Sequence, residues 1–136
     1  MEEPPRNLRE LLLALRIVAV AVSVPVLLRL RLEWLERVLE PRRRRPDPRR
    51  AAWLARRIDG VLATAHPLVR PGCLTRGLTH YWFLRRAGVD LRLQFGVGLV
   101  DGRYEGHCWL VRDGEPYLEA VDPRETFVAT YSIPRA

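Results

Sequence analysis

The chain has 136 residues, enough for one compact domain with its own core and too few for two substantial ones. Apolar residues make up 48% of it and no low-complexity tract or internal repeat interrupts it, which excludes wholesale disorder; two cysteines exclude a disulfide-stapled secreted scaffold. The net charge of +7 comes from 23 arginines and no lysine, and the whole basic excess lies in residues 1–72, while residues 73–136 are balanced.

The first residues, MEEPPRNLRE, mix acidic with basic side chains, and no small-residue cleavage site follows the next apolar run. That argues against a secretion signal and makes a reducing cytoplasm the expected compartment. The run itself, LLLALRIVAVAVSVPVLLRL, has its longest uncharged stretch from Ile17 to Leu28, 12 residues, where spanning a bilayer takes about 20. Arg16 and Pro25 interrupt it. Its continuation, RLRLEWLERVLE, is amphipathic with arginine flanks, so the expectation is a helical segment over residues 1–40 that lies on a membrane surface or packs on the domain or a partner. An ordinary helical cap fits equally well.

Residues 41–50, PRRRRPDPRR, combine three prolines with six mutually repelling arginines and read as a linker. Such runs neutralise phosphates, but no aromatic residue is interleaved to stack on bases, so a solvated hinge is favoured over nucleic-acid binding. The expected core domain is residues 51–136.

In AAWLARRIDGVLATAH, Trp53, Leu54, Ile58, Val61, Leu62 and Ala65 recur at helical spacing, and His66-Pro67 closes the helix. A second helix begins near Cys73, with Leu74, Leu78, Tyr81 and Trp82 facing inward and Arg85, Arg86 and Gly88 marking its end. The period then drops to two: Leu91, Leu93, Phe95 and Val97 alternate with Arg92, Gln94, Gly96 and Gly98, as in a strand with one buried face. After a loop at DGRYEG, the segment HCWLVRDGEPYLEAVDP predicts two strands folded about Asp113-Gly114. The fold class is therefore α+β, helices packed on a small antiparallel sheet, with an apolar N-terminal helix. Gly96 and Gly98 fit close packing or a bulge.

Cys73 follows a Pro-Gly turn and opens a helix, where the macrodipole favours thiolate over thiol. The bland alternative is a small buried residue. A nucleophile needs a base. His66 sits across the turn, with nothing to fix its approach. His80 is two turns away on the same helix, roughly 10 Å, too far for a hydrogen bond. His107 begins a strand that can pack on the start of the cysteine helix. Cys108, next in that strand, points to the opposite face, and too few ligands remain for zinc; no phosphate-binding glycine motif is present, so no metal or cofactor is expected.

Across about residues 50–122, GCLTRGLTHYWFLRRAGVDLRLQFGV followed by GHCWLVRDGEPYLE resembles the transglutaminase-like cysteine peptidases that remove leader peptides in lasso-peptide biosynthesis, and the Leu/Arg-rich helical stretch upstream is similar to the region preceding that core. The resemblance implies a papain-like core and a catalytic pair: Cys73 matches the cysteine of a helix-opening Cys-Leu-x-Arg segment and His107 the histidine of His-x-Trp. A third member would orient the imidazole and stabilise imidazolium. If the hairpin loop centres on Asp113, His107 faces Glu119; if it centres between Gly114 and Glu115, His107 faces Asp122. The family spacing favours Glu119, although its usual acid is Asp, while Asp122-Pro123 resembles the end of this strand in broader transglutaminase-like proteins.

The resemblance further implies a precursor peptide as substrate, a separate leader-recognition protein, since no strand pattern precedes Cys73 to supply one, and an ATP-dependent macrolactam-forming cyclase acting on the released core. The rival readings are a transglutaminase-like amidase or acyltransferase using the same thiol, and a non-catalytic basic module contacting a membrane or a partner.

Overall fold

A computed structural model of the chain describes residues 6–27, 29, 47–65 and 72–133. Three helices, α1 (Arg6–Leu27), α2 (Pro48–Thr64) and α3 (Cys73–Arg86), precede strands β1 (Arg92–Val100), β2 (Arg103–Arg112), β3 (Glu115–Tyr117) and β4 (Phe127–Ile133), with a single 3-10 turn, Pro123–Glu125, before the last strand. The expected amphipathic continuation at 30–40, the arginines at 42–45 and His66 lie outside the described residues.

The sheet is antiparallel with order β3-β2-β1-β4. Asp113 and Gly114 both have positive φ, 53° and 79°, as a two-residue type I′ hairpin requires. The turn therefore falls between the two centres weighed above, pairing Arg112 with Glu115. β4 was not foreseen, although Phe127, Val128, Thr130, Tyr131 and Ile133 are strand formers. β1 pairs with β2 without interruption, while its register with β4 shifts at Phe95/Gly96 by one extra residue, Thr130, in β4; along β1 Leu93 is fully buried but Val97 is 44% exposed.

Helix α3 is the centre of the molecule, packed against α1, α2, β1 and β2. Gly77 through Tyr81 are all buried, five consecutive residues rather than one stripe, because neighbours surround the helix. At Gly77 a Cβ would stand 3.1 Å from Leu93 Cδ1 and 3.2 Å from Cys108 Sγ, so a missing side chain lets α3 settle closely on the sheet. Cys73, one turn earlier, shares that face.

Two expectations change. Asp47 caps α2, accepting from the backbone N–H groups of Arg49 and Arg50, and Pro48 takes the first turn, so the helix starts inside the expected linker; Trp53, expected inside, is 40% exposed. More consequentially, the core does not lie wholly downstream of residue 50. Ile17 and Val24 of α1 are buried in the same cluster as Leu54, Ile58, Leu78, Leu84 and Leu93. Leu8, Leu11, Leu12 and Leu15 line a face of α1 that remains exposed. Among the described residues no helix is long and apolar enough to cross a membrane.

Candidate active site

Cys73 is the first residue of α3, after Gly72, whose extended backbone offers no side-chain cap. The first-turn amides have no intrahelical acceptor, and the helix dipole adds positive potential at this end. The thiol lies in a cavity of about 390 Å³ together with Asp59, Leu62, Arg76, His107, Trp109 and Glu119.

The thiol's pKa falls from the ordinary cysteine value to about 5. The largest cause is a hydrogen bond from Cys108; burial opposes it, and a hydrogen bond from His107 and that residue's charge lower it further. The single Cys108 S–H lies 3.1 Å from the Cys73 carbonyl oxygen, so its proton is shared between that oxygen and the Cys73 sulfur. Its own pKa is driven up by the hydrogen bond to Cys73, then by burial and by the negative charges of Cys73 and Glu119. The two shifts run in opposite directions, Cys73 toward thiolate and Cys108 toward thiol. Strand alternation does separate Cys108 from His107, but it says nothing of what stands over the strand, so this contact was missed.

His107 stands in a triangle of rings: Trp109 stacks on it at 5.9 Å and 22°, Phe127 of β4 lies 5.0 Å away, and those two are 6.5 Å from each other. Trp109 in turn covers Gly96, where a Cβ would come within 2.8 Å of the indole. Only glycine at this point of β1 leaves room for the ring that supports the imidazole.

His107 Nε2 is 3.7 Å from Glu119 Oε1, a charge contact rather than a hydrogen bond. Both groups are mostly shielded, with 25% and 18% of their side-chain surface exposed. Glu119 does not arrive there by strand pairing. β3 ends at Tyr117, and an uninterrupted ladder would set Ala120 opposite His107. Instead Leu118 adopts φ +62°, and this left-handed residue re-aims the chain so that Glu119 meets the imidazole.

Asp122 stands elsewhere. It caps the 3-10 turn, accepting from the Arg124 N–H at 2.9 Å and pairing with the Arg124 guanidinium at 2.8 Å, outside the residues that line the cavity. Hydrogen bonds from Arg124 hold its carboxyl below the usual range. The expectation that Glu119 and Asp122 share one returning strand does not hold, since both follow its end. His80 pairs with Asp59 at 2.9 Å. Among the described residues no cluster of His, Cys, Asp and Glu could hold a metal ion.

A half-buried thiol of lowered pKa at a helix start, a shielded imidazole in the same cavity and a carboxylate near the imidazole are the parts needed for nucleophilic attack on a carbonyl. A family model described as Transglutaminase-like superfamily matches residues 11–132, from α1 through β4. No curated protein and no solved structure matches the chain.

Proposed function

Since the chain belongs to the transglutaminase-like superfamily, we propose that it is a cysteine peptidase whose nucleophile is Cys73, whose acid–base is His107 and whose orienting acid is Glu119, and that its substrate is the leader-bearing precursor of a lasso peptide. The observation that carries the chemistry is the Cys73 thiol at the start of α3, set in one cavity with His107, where its pKa is lowered to about 5. The substrate rests on the resemblance of the Cys-Leu-x-Arg and His-x-Trp segments to the leader peptidases.

The steps follow from these groups. The Cys73 sulfur attacks the scissile carbonyl; a C–S bond forms and the carbonyl electrons move to oxygen, where the first-turn amides of α3 can stabilise the charge. As the C–N bond breaks, imidazolium His107 gives its proton to the departing amine. Neutral His107 then takes a proton from water, the resulting hydroxide attacks the thioester, and the thiolate leaves with imidazolium restored. Glu119 stabilises imidazolium in the first and last of these states. An amidase or acyltransferase would share the first half and differ in what accepts the acyl group.

The reading includes a separate protein that holds the leader and a macrolactam-forming cyclase that consumes the released core. It is tested by single-turnover cleavage of a precursor peptide with the leader-recognition protein present. Cys73→Ala should abolish cleavage while the variant keeps its cooperative unfolding, because the other thiol at the cavity, Cys108, is buried and its pKa is driven up. Parent-like cleavage by that variant would overturn the reading.

A further inference from the structure

Glu119 meets His107 only because Leu118 holds a backbone conformation that a bulky side chain disfavours, and such a residue persists only where its surroundings enforce it. The enforcing contact comes from α3. Arg76 Nη2 donates to the Leu118 carbonyl oxygen at 3.1 Å, while the same guanidinium grips Asp59 of α2 through Nε at 3.0 Å and Nη2 at 3.4 Å. Asp59 Oδ1, the oxygen that accepts from Arg76 Nε, is also held at 2.9 Å by Nε2 of His80, whose side chain is wholly buried. His80 Nδ1 has no partner among the described residues, so the neutral tautomer with its proton on Nε2, donating to Asp59, is assigned from the network; burial favours the neutral ring against the pull of Asp59.

We infer that Arg76 is a positioning residue: anchored on Asp59, it clamps the Leu118 carbonyl and so holds Glu119 against His107. The inference rests on the peptidase reading above and deepens it. Arg76 lies three residues after Cys73 on the same helix, so one rigid element carries both the nucleophile and the clamp that places the orienting acid. Arginine suits the task because its planar fork can serve a carboxylate on one edge and a carbonyl on another, which the single ammonium of lysine cannot. Arg76 touches neither His107 nor the sulfur in this network; its effect on chemistry passes through Glu119.

The test is the rate and pH profile of Cys73 alkylation by iodoacetamide in the full chain, followed by peptide mass mapping, for the parent, Arg76→Gln, Glu119→Gln and the double variant. Each single variant should slow alkylation near neutral pH by roughly tenfold, the order expected from losing one charge-assisted contact. Their pH profiles should superimpose, and the double variant should be no slower than Glu119→Gln alone, since coupled residues are not additive. A double variant slowed by the product of the two effects, or an Arg76→Gln profile like the parent's, would overturn the inference. If Arg76→Gln does not unfold cooperatively, Arg76→Lys decides: it keeps a cation beside Asp59 but not the fork, so slowed alkylation is expected and a parent-like rate overturns the clamp. A parent Cys73 no faster than free cysteine would instead bring down the peptidase reading, and the inference with it.

Discussion

Glu119 and Asp122 are three residues apart and chemically alike, yet their surroundings give them different work. Asp122 has 35% of its side-chain surface exposed and is engaged by Arg124 as a cap, whereas Glu119, 18% exposed, has the His107 imidazole as its neighbour. Glu119→Gln keeps the shape and removes the charge that stabilises imidazolium, so single-turnover cleavage should fall by about a hundredfold or more; Asp122→Asn should change it little. The reverse ranking would transfer the orienting role to Asp122, and two negligible effects would leave a Cys-His dyad. The thiol and imidazole are legible in the sequence because helix-start placement and a strand opposite it are local signals. The approach of Glu119 to His107 is not legible by register, because it follows the left-handed Leu118, which no alternation pattern reports and whose carbonyl is held by an arginine 42 positions earlier in the chain.

Among the elements, α1 departs furthest from expectation. Its sequence reads as an amphipathic or apolar appendage because length, charge and hydropathy describe the helix alone and not what covers it. In the fold, Ile17 has no exposed surface and Val24 almost none, both against α2 and α3, while Leu11 and Leu15 face outward. Ile17→Ala should therefore lower the free energy of unfolding by about 2–5 kcal/mol, as for other buried Ile truncations. Leu11→Ala, at a residue 56% exposed, should shift the denaturant midpoint little. Equal and small shifts for the two variants would show that α1 is dispensable to the core. The hairpin at Asp113-Gly114 and the helix from Cys73 were readable because each is set by local chemistry. β4 was not, since its seven residues pair with a strand about thirty positions earlier and bury only part of one face.

At the scale of the whole molecule, the candidate site is a product of folding. Asp59, Cys73, Arg76, His107, Cys108 and Glu119 come from two helices, one strand and the segment after the hairpin, and the family match takes in all of these from α1 to β4. The acidity of the Cys73 thiol depends on that assembly, because its hydrogen-bond donors, Cys108 and His107, lie more than thirty residues away in the chain. A depressed pKa places thiolate above it and thiol below it, so reactivity should rise as pH climbs through the folded value and then level. The most direct measurement is the pH dependence of Cys73 alkylation in the native chain, compared with the same chain in denaturant. The half-maximum should fall near pH 5 in the native protein and near the ordinary thiol range, about 8.5, when unfolded. A native midpoint that coincides with the denatured one would mean that Cys73 is not an activated nucleophile, and would contradict the account at its centre.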